Sequence, residues 1–469
     1  MFDKSALDAR LSGLAQRKQL AGVSACIMGP EGPVYRWSCG VRDAAGRLAP
    51  DEDTMFGIAS MSKSITSLCL CILESEGRLR LEDPVCRYLP GFRVPGQPQE
   101  AVTLWHLMNH TSGIPPMEPL EWSIAMNTPG RDDDEETKRL RRAAPNAMAT
   151  IDQIVDYIAA CPYPMLGAPG EVMSYSNEGY AILSYVVDAA AGTPLEDFMQ
   201  KRVFEPLGMT RTILDNGIDA ARALSGGNIT SLFERREDGT RTCDDRWSVL
   251  PPFRGCAMVK STARDMAVYY RALSLYGVHE GRQAIPRRAV ERLIGAYHPL
   301  SPLGLMCLGL NKREMAGHVV CEHAGGLHGV STKGALLLGE GFGFAVLCNQ
   351  GDEDMDELMW AMLSAVMGLP LETSHQTFLP AAQPFSAAQM LRGRYIGHEG
   401  IPSIVTIHCA DGTLTGERDG KPLTLVYCGG TRFLALDPAD GSLACRLEFF
   451  IRNGRAWGVR VGTRVFGRD

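Results

Sequence analysis

Ser60 and Lys63, in the run Ser60-Met61-Ser62-Lys63, are the residues best placed by type and spacing for covalent chemistry. A short apolar segment, residues 55–59, leads into them, and a mostly apolar helical pattern, residues 64–73, leads away. A serine at a helix start meets unpaired backbone N–H groups and the positive end of the helix dipole, both of which stabilise developing negative charge. Lys63 falls nearly one turn further along the same face, so its amine can lie beside the hydroxyl. A serine hydroxyl is a weak nucleophile at its own pKa, and a desolvated, neutralised lysine can take its proton. The same residues also suit an N-cap serine followed by an exposed lysine, so the reading depends on partners elsewhere in the chain.

Two further clusters supply them. In Gly170-Glu171-Val172-Met173-Ser174-Tyr175-Ser176-Asn177, Tyr175 and Asn177 are two apart and can face the same way from an extended turn. A phenol near an ammonium can serve as a phenolate base, and an Asn amide can orient Lys63 or a substrate carbonyl. A loop tyrosine with an Asn-stabilised turn is the plainer alternative. In Glu322-His323-Ala324-Gly325-Gly326-Leu327-His328-Gly329, the glycines let a substrate backbone approach a strand closely. His323 could hydrogen-bond there or carry positive charge; the alternative is a Gly-rich turn with an exposed histidine.

The elements that must position these groups are legible from pattern. A first helix is expected over 7–20. Strands over 22–28 and 34–40 are joined by the turn Gly29-Pro30-Glu31-Gly32-Pro33. The nucleophile helix runs to about Glu76 and stops at Gly77. A short helix over 103–110 closes at Thr111-Ser112-Gly113. Residues 114–170 read as a long irregular stretch, fit to form a lid or rim, and contain the solvated charge run Arg131-Asp132-Asp133-Asp134-Glu135-Glu136. Helices follow over 178–192, 195–205 and 262–276, then adjacent strands over 334–338 and 343–348, then a helix over 353–368. Strands at both ends with helices between imply an α+β or α/β sandwich whose terminal segments share one sheet. Residues 371–387 read as a linker. Beyond it, Asp411-Gly412, Asp419-Gly420, Gly429-Gly430, Asp440-Gly441 and Asn453-Gly454 punctuate short strands at hairpin spacing, the pattern of a meander or small barrel. That tail shows no catalytic constellation of its own.

Composition narrows the function classes. With 469 residues, 45% hydrophobic and 22% charged, the chain suits a large domain plus a smaller one. A net charge of −7 without a long basic stretch argues against nucleic acid as a partner. No apolar run reaches the ~20 residues needed to span a bilayer, and the N-terminus lacks an apolar signal core, so a cytoplasmic protein without a membrane partner is expected. Fourteen cysteines, mostly single and in apolar settings, read as reduced buried thiols. His106 and His110 have i,i+4 spacing, but no third ligand accompanies them, so no metal is expected and no cofactor is called for.

Together, Ser60/Lys63, Tyr175/Asn177 and His323/Gly325 match in order the S-x-x-K, Y-x-N and K/H/W-x-G pattern, and the chain resembles the serine β-lactamase and penicillin-recognising family in its esterase and D-aminopeptidase branch. The strings Thr103-Leu104-Trp105-His106-Leu107-Met108-Asn109-His110-Thr111-Ser112-Gly113, Pro206-Leu207-Gly208-Met209 and Ser261-Thr262-Ala263-Arg264-Asp265-Met266 carry the resemblance across residues 5–368. It implies an antiparallel sheet flanked by helices over 1–370, and the tail, 388–469, resembles the lipocalin-like β-barrel appended to some members. It implies that Ser60 is acylated and that Lys63 and Tyr175 share the proton work, with the identity of the base left open. It further implies that Asn177 positions Lys63 and substrate, and that the N–H groups of Ser60 and Gly326 form the oxyanion hole, with Gly325 beside them. His323 stands where β-lactamases and transpeptidases use a lysine to hold a substrate carboxylate. The expected function is therefore a serine hydrolase of esters or small amides and peptides, including D-residue substrates. An acyltransferase using the same acyl-enzyme, or a non-catalytic binding protein of this fold, are the alternatives.

Overall fold

Helix Ser62–Ser75 is buried over its first twelve residues, because Ile65, Leu68, Cys69, Leu70, Ile72 and Leu73 spread apolar surface around the whole cylinder. Such a helix must lie between layers, and in the computed structural model it does. The structure describes residues 2–130, 135–236, 239–295, 298–301, 304–383 and 385–469.

On one side of the molecule is an antiparallel sheet of eight described strands. Its order is His298–Ser301, Gly304–Met306, Asn311–Met315, His318–Leu327, Val330–Leu337, Phe342–Cys348, Gly22–Gly29 and Gly32–Gly40. The N-terminal hairpin thus joins the last strand, Val23 opposite Cys348 and Met28 opposite Gly343, as the terminal strands implied. Helix Lys4–Arg17 and helix Asp356–Met367 cover one face, with Leu7, Leu11, Leu14, Leu358 and Met362 in one apolar cluster with strand residues. Helix Ala263–Ser274 covers the other face at very short range. A Cβ on Gly343 would lie 2.2 Å from the Ala267 carbonyl oxygen, and one on Gly334 would lie 2.0 Å from the Tyr270 ring. Both strands therefore require glycine where the helix crosses them.

The stretch 114–170 differs from expectation. Among its described residues are the helices Pro119–Asn127, Glu135–Ala143 and Ile151–Ala159. The last is set by a capping box between Thr150 and Gln153 and an apolar stripe of Ile151, Ile154, Val155 and Ile158. Of the charge run, residues 131–134 lie outside the described residues; Glu135 and Glu136 begin a helix, and Glu135 pairs with Lys138 at 2.7 Å.

Residues 393–468 close into an eight-stranded antiparallel barrel, Gly393–Gly397 pairing with Arg464–Arg468. Asp411-Gly412, Asp419-Gly420 and Asn453-Gly454 each place both residues at positive φ, the conformation that lets a two-residue turn follow strand twist. The barrel is seated on the first domain. Leu166 and Val172 pack with Val465, Arg452 pairs with Glu171 at 2.8 Å, and the Val465 amide donates to Ser174 Oγ at 3.1 Å.

Gly334→Ala and Gly343→Ala should each cost about 1–3 kcal/mol of stability by overpacking. The larger loss is expected at Gly343, where the obstructing atoms are backbone. Urea unfolding midpoints would measure this; unchanged midpoints would mean that the helix can move off the sheet.

Candidate active site

Ser60 sits in a short 3-10 turn, Ala59–Met61, immediately before helix Ser62–Ser75. Ala59 holds φ at +45°, an uncommon conformation for a residue with a Cβ. The strand His318–Leu327 presses against this turn. A Cβ on Gly325 would lie 2.4 Å from the Ile58 carbonyl oxygen and from Thr332 Oγ1, so only glycine fits there. The next residue, Gly326, lines the same cavity as Ser60.

Lys63 is fully buried, and its Nζ donates to Ser60 Oγ at 3.0 Å. It also donates to the Cys256 carbonyl at 3.3 Å and lies 2.8 Å from Cys256 Sγ. The Tyr175 and Tyr180 ring centroids stand 4.8 and 5.6 Å from it. Burial alone pushes the ammonium toward neutrality, but the negative charge that the Cys256 sulfur and the Tyr175 oxygen can carry outweighs it, so Lys63 holds its proton more tightly than an ordinary lysine. The neutralised lysine expected from sequence is not what this environment favours.

Tyr175 and Asn177 converge on the same place through different supports. Ser176 caps helix Asn177–Ala191 by accepting from the Gly179 amide at 3.1 Å, which puts Asn177 at the helix start. The Tyr175 amide donates to the Thr463 carbonyl of the barrel at 2.9 Å. The Tyr175 ring lies 4.3 Å from the His110 imidazole and faces the Arg464 guanidinium at 5.0 Å. His110 accepts from the Ser176 amide at Nδ1, 3.1 Å away, and burial then lowers its pKa well below the usual histidine value. It is a neutral packing partner, and His106 Nδ1 is used in capping the helix Leu104–Met108.

Two expectations need correction. Asn177 does not bond Lys63 directly: its Oδ1 accepts from Cys256 Sγ at 3.2 Å and its Nδ2 donates to Glu399 Oε1 at 2.9 Å. The sulfur of Cys256 stands between them. His323 does not carry charge. It is buried, its Nδ1 lies 2.5 Å from the Ala324 carbonyl, and burial, with Lys63 nearby, pushes its pKa down to about 4.

Barrel loops are expected from sequence to help shape the pocket, but the residues that do so are not nameable there. Arg464 and Glu399, both from the barrel, form a direct ion pair beside Ser60 and line its cavity. The cavity measures about 460 Å³. Leu120, Glu121 and Ile124 of the helix Pro119–Asn127 also line it, so part of the stretch read as a rim is one. Glu234, His328 and Asp352 line it as well, with His328 Nδ1 3.0 Å from Glu234 and Nε2 3.3 Å from Asp244. No local pattern announced Arg464, and Tyr175, which it faces, lies nearly 290 residues upstream.

The beta-lactamase family model matches residues 7–367, well over half of the chain. The chain belongs to the beta-lactamase family. Among its relatives, Esterase EstB of Burkholderia gladioli is 30% identical over 223 residues, covering 44% of this chain and 52% of its own. The D-alanyl-D-alanine-carboxypeptidase/endopeptidase AmpH of Escherichia coli (strain K12) is 28% identical over 246 residues, covering 52% and 55%. The matched segment thus spans about half the length of these relatives. The octameric penicillin-binding protein homologue from Pyrococcus abyssi superposes over 99% of both chains with a TM-score of 0.69 at 20% identity, so the arrangement of sandwich and barrel is a shared fold.

Glu178, next to Asn177, gives a pH test of how dry the site floor is. Burial, with Glu399 adding to it, raises its pKa to about 7 from 4.5. The folded state therefore binds a proton that the unfolded state has lost between these values, and stability falls as pH rises from 4.5 through 7. Glu178→Gln should remove this term, so the variant gains about 3 kcal/mol on wild type across that window, levelling off above it. Urea titrations at pH 4.5, 6 and 7.5 would show it; a pH-independent difference would mean that Glu178 is ionised in a solvated environment.

Proposed function

We propose that the protein is a serine hydrolase that forms an acyl-enzyme on Ser60 and cleaves a carboxylic ester or a small amide or peptide, including D-residue substrates. The observation that carries this reading is the 3.0 Å contact from a buried Lys63 ammonium to Ser60 Oγ on the wall of a substrate-sized cavity. An ammonium that donates to the hydroxyl cannot also receive its proton. That role passes to Tyr175 as phenolate, with Lys63 and Arg464 both facing its ring to offset the charge. Ser60 Oγ then attacks the substrate carbonyl, the hydroxyl proton goes to Tyr175, and the oxyanion is held by the N–H groups of Ser60 and Gly326. Tyr175 returns the proton to the leaving group, leaving an ester on Ser60. Water, activated by the same Tyr175/Lys63 pair, releases the acid.

The cavity's charge supports a choice among substrates. Glu121, Glu234, Asp352 and Glu399 line it against Arg464 as the permanent cation among the described residues. Such a wall favours an ammonium-bearing acyl group over a substrate carboxylate, and neutral His323 adds no cation for the latter. The names of the esterase and D-alanyl-D-alanine-carboxypeptidase/endopeptidase relatives support ester and peptide cleavage as the reaction class. None of the fourteen cysteines is disulfide-bonded, which favours a reducing, cytoplasmic setting. No helix among the described residues is long and apolar enough to cross a membrane.

Initial rates on a nitrophenyl ester, D- and L-aminoacyl anilides and a chromogenic cephalosporin would test this. Wild type should turn over the ester and an aminoacyl anilide faster than the cephalosporin. Ser60→Ala should lose activity by at least ~10³-fold, and Lys63→Ala by a factor of ~10²–10⁴. Activity that survives Ser60→Ala, or a wild type inert to every acyl donor, would overturn the reading.

A further inference from the structure

Cys256 lies at the centre of the polar contacts around Ser60. Its sulfur is 2.8 Å from Lys63 Nζ and 3.2 Å from Asn177 Oδ1, and its carbonyl accepts from Lys63 at 3.3 Å. The thiol is fully buried, and burial raises its pKa although Lys63 lowers it, so near neutral pH it is an S–H with a proton to give and it gains negative charge only in the alkaline range, where it opposes loss of the Lys63 proton. The directions of the bonds follow. Lys63 donates to the sulfur, and the sulfur donates to the Asn177 oxygen. That fixes the amide with Oδ1 inward and Nδ2 toward Glu399 and the cavity.

The backbone gives this sulfur no freedom to wander. Helix Arg254–Ala257 is wedged between two others: the Gly255 carbonyl accepts from Thr66 Oγ1 at 2.7 Å, and a Cβ on Gly255 would lie 2.5 Å from Ser184 Oγ. The nucleophile helix and the helix that starts at Asn177 thus clamp the residue whose side chain joins them.

We propose that Cys256 is a positioning residue that couples Lys63 to Asn177, holding the ammonium on Ser60 Oγ and the amide nitrogen toward the substrate. The proposal rests on the serine-hydrolase reading above. Its consequence for pH follows from all the charged and titratable groups facing Lys63. His110 and His323 are neutral above their depressed pKa values, Tyr175 and Tyr180 present their rings, and Arg464 lies beyond Tyr175. Cys256 is the foremost of the groups that push Lys63 upward, with Tyr175 next. Removing the sulfur should let the ammonium deprotonate at lower pH, and the alkaline limb of the reaction should move down with it.

The readout is the rate at which a fluorophosphonate derivatises Ser60, followed by intact mass. In that step the Ser60 Oγ–P bond forms, the P–F bond breaks, fluoride leaves and the serine proton passes to Tyr175. Wild type, Ser60→Ala, Cys256→Ala and Cys256→Ser would be compared from pH 5 to 10, with each melting temperature measured. Cys256→Ala should react about tenfold to a hundredfold more slowly at pH 7, the range set by losing a hydrogen bond to a charged group. Its alkaline limb should shift to lower pH, and Cys256→Ser, which keeps a donor and an acceptor, should restore most of the rate. Wild-type rate and limb in Cys256→Ala would overturn the proposal. So would a folded Cys256→Ser that is as slow as Cys256→Ala. Labelling that persists in Ser60→Ala, or no labelling of wild type, would instead overturn the hydrolase reading beneath it.

Discussion

A lysine with no access to water is the constraint around which the rest of the site is arranged. An isolated ammonium in such a place would lose its proton, because burial penalises the charged form. Lys63 keeps it because acceptors approach from several parts of the chain: Ser60 from the 3-10 turn just before its own helix, the Cys256 sulfur and carbonyl from a wedged short helix, and the Tyr175 ring from the loop before helix Asn177–Ala191. Each acceptor is held in turn by a close backbone contact. Gly325 lets the sheet reach the Ser60 turn, and Gly255 lets the Cys256 turn fit between two helices. Glycine at each of these crossings is the steric counterpart of the buried charge.

The barrel is part of that arrangement. Thr463 accepts from the Tyr175 amide, and the Val465 amide donates to Ser174, so one barrel edge continues the hydrogen bonding of the loop that carries the phenol. Arg464, between them, faces the phenol ring and pairs with Glu399, which engages Asn177. An Arg–Glu pair that is half-buried contributes little net stability once desolvation and solvent screening are counted, and its value is better understood as orientation. It sets the directions of Asn177 and Tyr175.

The parts of this structure that were legible in the sequence are those with local causes. The hairpin turns of the barrel were visible because Asp-Gly and Asn-Gly suit positive φ at both positions, and the Ser60 helix because its apolar run is long. Helix Ile151–Ala159 has its signal in Thr150, Gln153 and the Ile151/Ile154/Val155/Ile158 stripe, inside a stretch that otherwise reads as irregular. Helix Pro119–Asn127 offered less, since apolar residues surround it and no polar face marks its period. The motif residues were found, but their bonds were not. Whether Asn177 reaches Lys63 directly or through a sulfur depends on Cys256, 79 residues away, and neither Glu399 nor Arg464 sits in any pattern that points at Ser60. Contacts between distant segments leave no periodicity.

The placement of positive charge is where this chain departs from the pattern it otherwise follows. The strand position that the resemblance associates with a carboxylate-binding lysine holds His323, and the site itself keeps that imidazole neutral, because burial and the Lys63 ammonium both oppose a second charge. The cation that lines the cavity is Arg464, delivered from the barrel and already committed to Glu399. A substrate carboxylate would have to displace Glu399 to reach it, while an ammonium would meet Glu234, Asp352 and Glu121 without displacing that pair. On the hydrolase reading proposed above, recognition would move from the sheet edge to the seam between the two domains, where barrel loops could vary without disturbing the Ser60–Lys63 contact.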